Sequence, residues 1–260
     1  MESSARVWIE TLRRSHDRLA SLAEPLTSVQ LREQSYDTDW TVAQLLSHLG
    51  SGAEISLVML PGALGEAEPA GREVFGPIWA SWNAKTPEDQ AADAVAFDER
   101  QVSTLESLSD DQLGRMKIDF LGTQLDAAGI VGLRLGEHAL HTWDLAVLTD
   151  DGATVSPDAV ALLIDNVPGF LAPRTGKPLG EPFSVRIITT GPDRDYLLTS
   201  GDAVTVTDWA GSDEDVPVVR LPAEALLRLA YGRLDPGHTP AEVSGDPDVL
   251  EKLRKIFPGF

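Results

Sequence analysis

The chain has 260 residues, enough for one large domain or two of ordinary size, and 42% apolar with 24% charged residues is the balance of a protein that buries a core. Its net charge of −20, from 41 acidic and 21 basic side chains, repels phosphate backbones and anionic head groups, which argues against nucleic acid and membrane surfaces as partners. There is no cysteine, so disulfides, cysteine-based zinc sites and a cysteine nucleophile are excluded.

The opening segment, MESSARVWIETLRRSHDRLA, has the charge pattern of an amphipathic helix, with Trp8, Leu12, Leu19 and Leu22 at near-helical spacing before Pro25. It lacks the uninterrupted apolar core of a signal peptide, and no stretch approaches the ~20 apolar residues of a membrane span; the expected location is the cytosol. A second helix is predicted from Thr41, where Thr41 and Gln44 have capping-box spacing, to about Leu60, just before Pro61-Gly62. The connection from Pro61 to Thr86 is long, and its Phe75, Trp79 and Trp82 predict a packed loop whose rings either cap the core or face a ligand. A third helix spans roughly Pro87 to Leu108, with Glu88 and Asp89 beside the positive end of its dipole. The fourth, Ala127 to Leu148, carries GLRLGEHALHTWDLAVL. Together these predict an antiparallel four-helix bundle over residues 1–151.

Composition changes at Asp150-Asp151-Gly152, a plausible linker. Pro157 to Phe170 reads as helix, and FSVRIITT, YLLTS, AVTVT and VPVVRL as short strands between Gly, Pro and Asp turns. The acidic block Asp213-Glu214-Asp215 reads as solvated loop. A helix at Ala223–Tyr231, a short strand near Ala241–Ser244 and a last helix at Pro247–Ile256 follow. Residues 152–260 are thus a smaller α+β domain with a mainly antiparallel sheet, and the fold class of the whole is α+β.

Three of the five histidines fall in the predicted bundle helices of the middle and late segments. Glu137 and His141 are about one turn apart and project from one face of the fourth helix, where a carboxylate and an imidazole can share an ion. His48 lies beside Leu45 and Leu49 on the core-facing stripe of the second helix, and an imidazole there needs a polar partner. Three such ligands leave the open position of a catalytic zinc site. A satisfied structural histidine and a chance Glu-x-x-x-His pair fit the same spacings, so spacing alone does not choose. His138 is an alternative ligand with His141, although it points about 100° away from Glu137 around the helix. His16 and His238 have no partner pattern and read as surface residues. Arg134, about 60° around the helix from Glu137, and Arg233 are the candidate binders of a carboxylate on substrate or thiol, with surface salt bridges as the plainer reading of each.

The segments DWTVAQLLSHLG (39–50) and GEHALHTWDLAV (136–147) resemble the two signatures of the DinB-like metalloprotein superfamily, and within it the mycothiol-dependent maleylpyruvate isomerase branch. In that pattern a Trp-led capped helix supplies one histidine and a later helix supplies a glutamate and a second histidine. By resemblance the ligands here are His48, Glu137 and His141, with Asp144 as the trailing acid. The strand run, the Leu-Ala-Tyr-Gly-Arg ending at Arg233 and the Val-Ser-Gly-Asp before the last helix resemble the branch's accessory domain, which is related to sterol carrier proteins. The resemblance implies a divalent ion such as zinc, the low-molecular-weight thiol mycothiol as co-substrate, and a small-molecule substrate. A thiolate would either add to a cis double bond, allow rotation and leave, or attack an electrophile and stay, giving an isomerase or an S-transferase. The rival expectations are a hydrolase using metal-activated water on the same ligands, and a non-enzymatic small-molecule or lipid binder.

Overall fold

Helix starts in the first part of the chain coincide with side chains that satisfy free N–H groups of a first turn. Thr41 and Gln44 make both bonds of the capping box, and Thr86 and Asp126 accept from Asp89 and Gly129. The computed structural model describes residues 4–37, 39–211 and 216–259, which leaves the acidic block Asp213–Asp215 outside the described residues. The elements are α1 (Ser4–Ala23), α2 (Val42–Ala63), α3 (Phe75–Asn83), α4 (Pro87–Ser107), α5 (Asp110–Arg115), β1 (Lys117–Phe120), β2 (Thr123–Asp126) and α6 (Ala127–Ala146). They form a compact unit, Met1–Ala153, distinct from a second one, Thr154–Phe260.

The four long helices α1, α2, α4 and α6 make a bundle. α1 runs antiparallel to α4, with Arg6 on Asp110 at one end and His16 on Asp98 further along. α2 runs antiparallel to α6, with His48 against Glu137 and Gly52 against Arg134. Leu19, Leu45, Leu46, Leu49, Trp82 and Ala94 are among the core side chains.

The connection expected as a packed loop is largely helical. It holds a 3-10 turn at Arg72–Val74 followed by α3. Trp82 at the end of α3 is buried and donates from Nε1 to Glu54 at 2.6 Å, whereas Trp79 is half exposed. Trp82 fits because position 50 is glycine: a Cβ there would lie 2.2 Å from the Trp82 ring. α2 also runs past the expected stop at Leu60 to Ala63, since Leu64 N–H still reaches Leu60 O at 3.0 Å and carries the turn over Pro61. The β1–β2 hairpin is absent from the sequence reading because its strands are only four residues long and mostly exposed, too short for the alternation of Ile118 and Phe120 to stand out.

In the second unit, α7 (Pro157–Leu163), a π-helical turn at Val167–Leu171 and α8 (Ala172–Thr175) replace the single helix expected from Pro157 to Phe170. The sheet consists of β3 (Phe183–Thr190), β4 (Arg194–Ser200), β5 (Val204–Asp208) and β6 (Val218–Pro222), in the order β5-β4-β3-β6. Two pairs are antiparallel, and β6 lies parallel to β3. Val185, Ile187, Tyr196, Leu198, Val206 and Val219 alternate onto the buried face. α9 (Ala223–Ala230) and α10 (Pro247–Ile256) complete the unit, while the strand expected near Ala241–Ser244 is reduced to one bridge between Ser244 and Arg220. Among the described residues, no helix is long and apolar enough to cross a membrane.

The bundle core contains an ion network. Asp98 of α4 is fully buried, and its Oδ2 lies 2.7 Å from His16 Nδ1 of α1 and 2.7 Å from His138 Nε2 of α6. Its Oδ1 accepts from Arg134 Nη2 at 2.7 Å. Burial works against the Asp98 charge, but His138 and Arg134 outweigh it and hold the carboxyl well below its usual range. His16 is therefore a core residue, contrary to its reading as a surface one, because two carboxylates receive its ring: Asp98, and Glu99 at 3.0 Å from Nε2. Burial opposes its charge, and the hydrogen bond to Asp98 with the fields of Asp98 and Glu99 raises its pKa nonetheless. A raised folded pKa gives stability that is complete below the unfolded value, about 6.5, and is lost as pH rises through the folded value. The stability difference between wild type and His16→Gln in urea melts should thus be largest near pH 5 and shrink towards pH 9; a difference growing with pH would show that the ring is not charged in the fold.

Candidate metal centre

α2 and α6 each deliver side chains to one cleft of the bundle. The capping box at Thr41 starts α2, so His48 emerges about two turns in; Asp126 starts α6, and Glu137 and His141 emerge one turn apart. The structure brings all three together, with one ligand atom of each within 4.8 Å of the others. His48 Nε2 lies 3.2 Å and His141 Nε2 3.7 Å from Glu137 Oε2. Metal–ligand bonds of ~2.0–2.2 Å at tetrahedral angles put neighbouring ligand atoms about 3.4 Å apart, so the spacing and the donor set of two imidazoles and a carboxylate fit a zinc-type ion with an open position.

Desolvation in the cleft opposes ionisation of Glu137, yet hydrogen bonds from His141 and His48 and the nearby imidazoles hold its pKa well below the usual carboxylate value. His141 is buried, while the other two are partly exposed, so the cluster opens to one side. Asp144, with no exposed surface, receives His141 Nδ1 at 2.8 Å. A neutral His141 that keeps its proton on Nδ1, directed at Asp144, would have its Nε2 lone pair available to an ion, in place of the proton that Nε2 gives Glu137 when no ion is there. The indole of Trp40 lies against both imidazoles, its ring centre 4.8 Å from that of His48 and 5.8 Å from that of His141, and walls the cluster on one side.

The other candidates lie elsewhere. His138 is fully buried and divides its two nitrogens between Asp98 and Ser15 Oγ, the latter at 2.8 Å. Arg134 is buried too, and its Nη2 serves both Asp98 and the Leu49 carbonyl, at 2.7 and 2.9 Å. Arg233 belongs to the second unit, where its Nη1 donates to Tyr231 O at 2.8 Å. His238 is half-buried with Nδ1 2.8 Å from Asp235 Oδ2. Asp98 had no role in the sequence reading, and Trp40 entered it only as the Trp that leads the first signature. Asp98 carried a signal, for it occupies the buried stripe Ala91, Ala94, Gln101, Val102 and Leu105 of α4.

The fold and the cluster define a two-unit protein, a helical bundle that carries a His–Glu–His cluster followed by an α+β unit. The family model for the mycothiol maleylpyruvate isomerase N-terminal domain matches residues 12–146, and the MDMPI C-terminal domain matches residues 154–252. The chain belongs to the mycothiol-dependent maleylpyruvate isomerase family. The crystal structure of the mycothiol-dependent maleylpyruvate isomerase is similar with a TM-score of 0.65 and 16% identity, over 95% of this chain and 96% of that one. A mutant of that enzyme gives 0.65 and 15% over the same shares. YfiT from Bacillus subtilis, described as a probable metal-dependent hydrolase with an unusual four-helix bundle topology, gives 0.44 and 20% over 57% of this chain and 87% of that one. At these identities the likeness is one of fold. No curated protein matches the chain.

Asp144→Ala frees the His141 ring to turn and to change tautomer. It should weaken zinc binding by about 10–100-fold in competition with a chromophoric chelator, with helix content by circular dichroism unchanged, and Asp144→Asn should lose less. Wild-type affinity in the alanine variant would show that Asp144 does not orient the ligand.

Proposed function

We propose that this protein is a metal-dependent enzyme with mycothiol as thiol co-substrate, acting as a maleylpyruvate-isomerase-like cis/trans isomerase or as a thiol S-transferase. The observation that carries this reading is the convergence of His48, Glu137 and His141 at a partly open cleft. The two imidazoles and the carboxylate hold a divalent ion, most simply zinc, at a net charge of +1. Such an ion brings the pKa of a thiol that reaches it down from about 8.5, so that the thiolate is present at neutral pH. Asp144 keeps His141 in the ligating tautomer, and Trp40 shields one flank of the imidazoles from water. The thiol has to come from outside, because the chain has no sulfur nucleophile of its own.

The substrate expected for such chemistry is a small electrophile, an unsaturated acid in the isomerase case. In a chain of charge −20 its carboxylate needs a local cation besides the ion. Arg134 and Arg233 are the arginines proposed for this, and Asp98 already occupies Arg134. Arg233 is held as well, by the Tyr231 carbonyl; for a carboxylate-binding role, Arg233→Met should raise KM for a carboxylate substrate and leave metal content as it is.

Protein purified without chelators should contain about one divalent ion per chain, and His48→Ala or His141→Ala should lose it. In cobalt-substituted protein, mycothiol should add a sulfur-to-cobalt band in the near ultraviolet, for which the added thiol is the sole cysteine-type sulfur source. Metal-free wild type would remove the metal centre. Turnover with an unchanged cobalt spectrum at millimolar mycothiol would remove the thiol and leave a thiol-independent hydrolase.

A further inference from the structure

The three ligand atoms come from two helices, and only the separation and register of α2 against α6 make them converge. A metal tolerates errors of about 0.2 Å in its bonds, so something must set that register closely. The structure points to one buried side chain. Arg134 lies one turn before Glu137 on α6, and its Nη2 donates at 2.9 Å to the carbonyl of Leu49, the residue that follows His48 on α2. Its Nη1 lies against Gly52 of the same helix, where an added Cβ would come within 3.0 Å of it. The same Nη2 donates to Asp98 of α4, so the guanidinium cannot swing away without leaving a buried carboxylate short of its partner. Asp98 is held in turn by His16 from α1 and by His138, the neighbour of Glu137, from α6.

We propose that Arg134 and Asp98 form a brace that fixes α6 against α2 and so sets the His48–Glu137–His141 spacing, which makes them positioning residues of the metal centre. This rests on the metal-centre reading above. It differs from a carboxylate-binding role for Arg134, because the guanidinium works through the Leu49 carbonyl and Asp98 rather than on a ligand. The brace also explains an ionic cluster in a core where apolar side chains would pack as well: a carbonyl on a neighbouring helix is held by a directional donor and not by a methyl group.

The test uses full-length protein, with zinc affinity measured by chelator competition, the cobalt visible spectrum as a reporter of ligand geometry, and thermal melting as a measure of fold. Arg134→Met and Asp98→Asn should each weaken zinc binding by at least about tenfold, the scale on which supporting contacts act on a metal, and should shift the cobalt bands. The double variant removes the Arg134 charge together with that of Asp98, and His16 keeps Glu99 as its carboxylate partner. Its melting temperature should recover relative to Asp98→Asn while zinc affinity stays low, a split that a purely stabilising role does not produce. Gly52→Ala keeps every charge and favours helix, since alanine is the better helix former. By pressing on Arg134 Nη1 it should lower zinc affinity severalfold with melting unchanged or raised, and it decides the matter if the charge variants do not fold. Wild-type zinc affinity and cobalt bands in Arg134→Met and Gly52→Ala would overturn the brace and leave the metal centre standing. Failure of the wild type to bind zinc would instead overturn the metal centre itself.

Discussion

A carboxylate inside a helical bundle is costly unless charge and hydrogen-bond donors surround it, and removing one partner of such a buried pair typically costs about 3–5 kcal/mol. Asp98 meets that demand with donors from two other helices, His16 on α1 and Arg134 and His138 on α6. Through Arg134 the same group reaches the backbone of α2. All four long helices are therefore tied at one level. That level is where the ligands emerge, since Leu49 follows His48 and His138 follows Glu137. Apolar packing along the stripes allows a helix to slide or rotate by a few tenths of an ångström at small cost, whereas bonds of 2.7–2.9 Å to a buried charge do not. The polar knot defines the geometry that the hydrophobic core only approximates.

The four long helices were legible because their signals lie in short windows. Thr41 and Gln44 three residues on, Pro87 before two acids, and the apolar periodicities of each segment are local features. α3 and the β1–β2 hairpin were not, since one is a short helix in a Gly- and Pro-rich stretch and the other is mostly exposed. The site shows the same division. Glu137 and His141 are a turn apart and can be paired on paper, but His48 is 89 residues from Glu137, and the resemblance, not the spacing, joined them. His16 was read as a surface residue and Asp98 was given no role, although both sit on apolar stripes: Leu12, His16, Leu19 and Ala23 on α1, and Ala94, Asp98, Val102 and Leu105 on α4. A charged or titratable residue on a core stripe always requires a partner, and two on different helices are candidates for each other.

Two layers of polar groups thus surround the cleft with opposite tasks. Glu137 is kept ionised by the imidazoles beside it, and its charge lies where an ion would sit. Asp98 spends its charge inward on Arg134 and the two histidines, so it is not available as a competing ligand. Asp144 is buried like Asp98, but its partner is His141 of the cleft cluster. Four titratable side chains follow one another within eight residues of α6, Arg134, Glu137, His138 and His141, and helical geometry sorts them onto different faces. Glu137 and His141 go to the cleft and Arg134 and His138 to the core.

The composition bears on the chemistry through the same ligands. Thiolate ligands would neutralise a divalent ion, whereas two imidazoles and one carboxylate leave it at +1. An ion of that charge still draws electron density from an incoming thiol or acid. The chain's −20 does not cancel this, because exposed charges are screened over about 8 Å at physiological ionic strength while groups in a partly desolvated cleft interact at full strength over a few ångströms. The acidic surface would therefore act on the approach of an anionic substrate, and an ion in the cleft on its binding. A protein without cysteine has no thiolate of its own to fill an open position on such a donor set, and that position would be left to a thiol from solution.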